Sequence, residues 1–264
     1  METSDFKTLM STTDSPEYSL IAPLVRDYRD WELQEDRVNE NMESRRVNGI
    51  CKLDVINLDS FICNVVVNGI LKFDPKGNIL QEENEYKAFK AKYPFVIGTT
   101  FENTLTLIAR TLSEHMQDAH AFYVYRGEKA LNDALTSFLA VMPYLNSSTH
   151  EVPLLDYAPR EPDQLEADDV YPGELERHHL ERERNGISWY DAVDLDDHLA
   201  GVFAVGFKIL SQTTHGHPVD VPEEEWEKTL LSLSDAFKNY YVNDVALTGE
   251  IKELFVDRFK SFWD

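Results

Sequence analysis

Apolar residues recur at helical spacing in several stretches of this chain. The clearest stripes are Leu58, Ile62, Val65, Val66 and Ile70, then Phe101, Leu105, Ile108, Leu112 and Met116. Two more follow at Leu195, Leu199, Val202, Phe203 and Leu210, and at Trp226, Leu230, Leu233, Phe237 and Tyr241. Steps of three and four residues place such side chains on one face of a helix, so each stripe predicts an amphipathic helix. Glu128 to Leu145 and Thr248 to Trp263 carry further stripes, through Leu131, Leu135, Phe138, Leu139 and Met142, and through Ile251, Leu254, Phe255, Phe259 and Phe262. Gly/Pro segments at Asp74–Asn78 and His215–Pro218 close the longer helices. Val65 to Val67 is β-branched and suits a strand locally.

What decides for helix there is a repeat. Asn48 to Leu71 and Asn185 to Lys208 align at a constant offset of 137 residues with about a third of positions identical. Asn48/Asn185, Gly49/Gly186, Ile50/Ile187, Asp54/Asp191, Leu58/Leu195 and Asp59/Asp196 are among the matches. The stripes from Phe101 and Trp226 form a second matching pair. An Asn-Gly turn precedes each first helix. The predicted fold is mainly α, with two related helix-pair repeats packed by pseudo-two-fold symmetry and additional helices covering the seam. The expected organisation is a polar tail over 1–16, a first half over 17–145, an acidic, proline-bearing bridge over 146–176, and a second half over 177–264.

Composition narrows the chemistry. Acidic residues number 48 against 25 basic ones, a net charge of −23. That field repels nucleic acid and anionic membranes and attracts basic protein surfaces. No apolar run approaches a membrane span, and no secretory signal is expected. Cys51 and Cys63 lie twelve residues apart inside one repeat, too far for a disulfide along a helix; Ser188 and Ala200 occupy the same places in the other copy. Both are expected as small core or cap residues in an intracellular, reducing compartment.

Residues 184 to 241 carry the pattern R-x-G-x-S-x-x-D, then L-D-x-x-L-A, a G-x-P loop, and E-E-W-x-x-x-L with a late Phe. Arg184, Gly186, Ser188, Asp191, Leu195, Asp196, Leu199 and Ala200 supply the first part; Gly216, Pro218, Glu224, Glu225, Trp226, Leu230 and Phe237 supply the rest. This resembles a widespread family of uncharacterised bacteriophage proteins. Ile187 and Val193 depart from it, where an aromatic residue and Trp are usual. The resemblance covers about a fifth of the chain. It implies a phage origin, with the host cytoplasm as the expected location, and a helical fold, and no activity.

Candidate chemistry gathers near the second repeat. Asp191, Asp194, Asp196, Asp197, His198 and His217 offer carboxylate and imidazole ligands of the kind that hold zinc, manganese or iron, with Asp194 one turn from His198. Asp191, Asp196, Glu224 and Glu225 resemble the paired carboxylates that hold magnesium against a diphosphate. The competing reading is scaffolding: Asp54, Asp59, Gly49 and Gly186 recur because both copies must fold. On that reading the first Asp of each copy caps a helix or its preceding turn, and the second bonds a turn or an arginine. His115, His120, His178 and His179 read as surface histidines. Phosphate-loop, HExxH, GxSxG and CxxC signatures are absent from the sequence. No cofactor is predicted, and a divalent metal belongs only to the enzyme alternative.

The leading expectation is a non-enzymatic acidic phage protein that occupies a basic surface of a host protein, as a takeover or anti-defence inhibitor or a nucleic-acid mimic. Glu161, Asp163, Glu166, Asp168, Asp169, Glu174, Glu181 and Glu183 are its expected acidic face. A metal- or nucleotide-binding helical enzyme or ligand-sequestering protein, with a site between the repeats, is the first alternative. A virion or assembly component is the second. A homodimer is compatible with all three.

Overall fold

The computed structural model describes residues 35–117, 119–146, 172–213 and 216–263. Among them the fold is mainly helical, with no strand. The helices are α1 (Glu35–Asn48), α2 (Lys52–Val55), α3 (Leu58–Lys72), α4 (Glu83–Lys92), α5 (Phe101–Gln117), α6 (Ala119–Tyr125), α7 (Glu128–Val141), α8 (Pro172–Asn185), α9 (Leu195–Thr213), α10 (Glu223–Asn243) and α11 (Gly249–Arg258). Short 3-10 turns follow α7 and α11.

The apolar stripes do what their spacing predicts. Leu58, Ile62, Val65 and Val66 of α3, and Leu195, Leu199, Val202 and Phe203 of α9, are buried to within 1%. So are Ile108 and Leu112 of α5, and Trp226, Leu230, Leu233 and Phe237 of α10. Helix α3 packs on α5 and α9 on α10, while α7 lies against both α5 and α11. One continuous core runs through all of them and is not divided at residue 146. Part of it is a cluster of aromatic rings. Phe207 meets Phe262 at 4.7 Å and Phe203 meets Phe237 at 5.2 Å, both edge-on, the geometry that ring quadrupoles favour. Cys51 and Cys63 are buried free thiols, and burial pushes Cys51 up to about 12.

Four helices were not legible as stripes. Helices α1 and α8 are built from EDRVNENMESRRVN and PGELERHHLERERN, with hardly an apolar residue between them. They pack against each other, and α8 begins inside the stretch expected as bridge, so that connection ends before Pro172. The tail over 1–16 and most of the bridge lie outside the described residues. Helix α4 and the short α6 are absent from the predicted stripes; Tyr86 and Phe89 anchor α4 in the core.

Candidate functional site

The place where the repeated residues meet is the junction of α1 and α8. Arg45 on α1 grips Asp54 with two hydrogen bonds, one from Nε at 3.0 Å and a shorter one from Nη2. Its third nitrogen, Nη1, donates to the Glu183 carbonyl at 3.1 Å. Arg182 on α8 does the same to Asp191, at 2.9 and 2.6 Å, and its Nη1 donates to the Val47 carbonyl at 2.6 Å. Each arginine therefore closes an ion pair within its own segment and reaches across to the other. Asp54 also accepts the Cys51 backbone N–H at 2.8 Å, and Asp191 the Ser188 N–H at 2.8 Å. All four charged residues are at most 7% exposed. Burial alone would raise Asp191, but the Arg182 guanidinium outweighs it and holds the carboxyl below its usual range.

The chain crosses itself here at two glycines. Gly49 and Gly186 both have φ of 72°, the left-handed region that costs other residues strain. A Cβ on Gly49 would lie 2.8 Å from the Gly186 carbonyl oxygen, and one on Gly186 2.8 Å from the Gly49 oxygen. His198 packs against Gly49, and Phe61 against Gly186. Farther along, Gly69 of α3 faces Leu195 and Ile187, while Gly206 of α9 faces Leu58 and Ile50. Each of these contacts recurs at the 137-residue offset.

The carboxylates are therefore committed inside the protein. The first aspartate of each copy takes the turn contact expected of it, and it is also this one, rather than the second, that meets the arginine. Asp59 accepts its neighbour Ser60 N–H at 2.7 Å, and burial pushes it up to about 6. Asp196 accepts the Tyr240 hydroxyl at 3.0 Å; its burial raises it, and the hydroxyl offsets only part of that. Asp194 and Asp197 are half-buried nearby. Asp197 is raised to about 7, first by burial and then by Asp196, Asp194 and Asp244.

The metal set does not assemble. His198 turns its ring from Asp194 to the Gly186 carbonyl, 2.9 Å from Nε2, with Asp191 3.4 Å from Nδ1. Burial drops it to about 3, so it is neutral. His217 is exposed beyond the far end of α9, at least fifteen residues or about 22 Å along the helix from His198. The magnesium set fails for a similar reason: Asp196 sits beside Tyr240, sixteen residues or about 24 Å along α10 from Glu224. Among the described residues no group of three or more His, Cys, Asp or Glu side chains is placed to hold a metal ion.

Two histidines expected on the surface are inside. His178 is 2% exposed, with Nδ1 2.5 Å from the Ser188 hydroxyl, and His115 is 4% exposed against Phe122 and Tyr123. Burial lowers both to about 4. Ser188, His178 and Asp191 are joined by hydrogen bonds, yet Ser188 is wholly buried, which leaves no room for a substrate. The offset of 137 was the signal that could have found Arg45 and Arg182, since they too are a matched pair.

Of the expected acidic face, Glu161, Asp163, Glu166, Asp168, Asp169 and the side chain of Glu174 lie outside the described residues. Glu183 is only 5% exposed, turned toward Arg46 at 3.9 Å, so it is not a surface carboxylate. Glu181 is occupied by Lys72, Arg177 and the Trp189 N–H. By contrast Glu223, Glu224, Glu225 and Glu227, at the start of α10, stand exposed with no ion pair among the described residues. Among the described residues no helix is long and apolar enough to cross a membrane. Comparison with family models, curated proteins and solved structures gives no match.

Proposed function

We propose that this chain is a duplicated helical scaffold of bacteriophage type that acts by binding a basic surface of a host protein, not by catalysis. The duplication is supported by the reciprocal glycine contacts and by the two arginine–aspartate pairs, each reached from the opposite half. In this reading the halves are related by a pseudo-two-fold axis through the Gly49/Gly186 crossing.

The observation that carries the functional reading is how the carboxylates divide. Those repeated in both halves are engaged in ion pairs, turns or hydroxyl contacts, where they serve the fold; Asp54, Asp191 and Asp196 are buried and Asp59 is half-buried. The surplus that makes the net charge −23 includes exposed groups such as Glu223, Glu224, Glu225 and Glu227, which have no cationic partner on the described surface. A surface of that kind draws in basic partners at long range, and faster at low salt.

The test is capture from bacterial lysate on the immobilised protein. A nucleic-acid-binding protein should be retained at about 50 mM salt, released at about 0.5 M, and displaced by added DNA. Replacing Glu223, Glu224 and Glu225 with Gln should weaken the capture. Retention of no basic protein at low salt, or retention indifferent to both salt and DNA, would overturn the reading.

A further inference from the structure

The two helix pairs differ on the side facing away from the seam. In the second half α10 closes on α9, and the Ser234 hydroxyl donates to the Ala204 carbonyl at 2.7 Å. The matching positions in the first half are Ala109 on α5 and Val67 on α3. The hydroxyl is gone and a β-branched side chain stands where Ala204 allowed close approach. Helices α3 and α5 leave between them a groove of about 570 Å³, lined by Val67, Ile70, Leu71, Leu105 and Ala109. Leu71 stands 71% exposed at its mouth, where the second half carries the exposed Lys208.

The ends of the groove differ in charge. Near Pro75 stand Asp74 and Glu102, with Lys76 as the nearby cation, and Glu82 follows Gln81, whose side-chain amide donates to Glu102 at 3.4 Å; all three carboxylates are exposed and none is ion-paired among the described residues. At the other end Arg110 and Arg126 share Glu114, at 2.8 and 2.7 Å, which leaves a small positive excess. Leu105 to Ser113 spans about 12 Å of α5, the length of two helical turns.

We propose that this groove docks an amphipathic helix of the host partner, seating two turns of apolar side chains with lysines or arginines over Asp74, Glu82 and Glu102. This is the helix-in-groove mode of recognition, in which apolar anchors supply affinity and flanking charge sets orientation. It rests on the basic-partner reading and specifies how that partner is held.

A labelled Leu/Lys amphipathic peptide, polylysine and a Leu/Glu peptide of the same pattern are titrated by fluorescence anisotropy against the full chain. Leu71→Ser, which removes an exposed apolar group without changing charge, is compared with Leu231→Ser on the outer side of α10. The Leu/Lys peptide should bind best and lose about tenfold in affinity with Leu71→Ser but not with Leu231→Ser, while polylysine is unaffected by either. Equal binding of the Leu/Lys peptide to both variants overturns the groove and leaves the basic-partner reading standing. Equally tight binding of the Leu/Glu peptide overturns the charge assignment. If neither polylysine nor the Leu/Lys peptide binds at low salt, the basic-partner reading falls and the groove proposal falls with it.

Discussion

Replacing Gly186 with Ala tests the close approach of the Gly49 and Gly186 backbones. Two costs arise at once. Alanine in the left-handed region is strained by about 1–2 kcal/mol. Its Cβ would also stand 2.8 Å from the Gly49 carbonyl oxygen and 2.9 Å from the Phe61 ring, so the backbones must part. Overpacking of a buried contact costs about 1–3 kcal/mol, for a total of about 2–5 kcal/mol. Gly49→Ala meets the Gly186 oxygen at the same distance and should cost as much. Gly127 is the control: its φ is 77°, yet nothing lies within 4 Å of a Cβ there, so Gly127→Ala carries the strain alone. The two seam variants compete for one gap, so opening it for the first relieves the second. The double variant should fall short of the sum by about 1–2 kcal/mol. Urea denaturation followed by circular dichroism at 222 nm measures all four. If Gly186→Ala costs no more than Gly127→Ala, or if the seam variants add, the two backbones are not in tight contact.

Arg182→Ala leaves Asp191 buried without its counter-charge and should destabilise by about 3–5 kcal/mol, as should Arg45→Ala for Asp54; chemical denaturation checks both, and a cost under about 1 kcal/mol would refute the pairing argument. His198 is held neutral, from 6.5 down to about 3, so its contribution is full above pH 6.5 and is lost as pH falls toward 3. His198→Phe, the residue at its matched position, should therefore flatten the acid limb by one proton, about 1.4 kcal/mol per pH unit between roughly pH 6 and pH 4. An unchanged slope in pH-dependent denaturation would show that His198 is not neutral inside the fold. Tyr240→Phe removes the hydroxyl that stabilises the Asp196 carboxylate. It should cost about 1–2 kcal/mol at pH 7 and less at pH 4, because burial raises the Asp196 carboxyl above its usual range and a proton taken up there weakens the contact. An equal loss at both pH values would point to packing instead.

Sequence alone determined the helices that carry their own apolar faces. Stripes such as Leu195 to Leu210 and Trp226 to Phe237 encode which side is buried, because hydrophobic periodicity is a local property that tertiary packing merely satisfies. The offset of 137 likewise marked Gly49 and Gly186 before any coordinates. Helices α1 and α8 were invisible because they carry no apolar stripe: Arg45 and Arg182 anchor them by pairing with Asp54 and Asp191 and reaching across to the opposite backbone. The same physics decided the candidate site. Spacing put Asp194 beside His198 and gathered six possible ligands on paper, but burial and hydrogen bonding gave Asp191, Asp196 and His198 partners elsewhere. Charge totals were fixed by composition; which carboxylates remain on the surface was decided only by the fold, since desolvating an ion is tolerable only where a counter-charge or donor meets it.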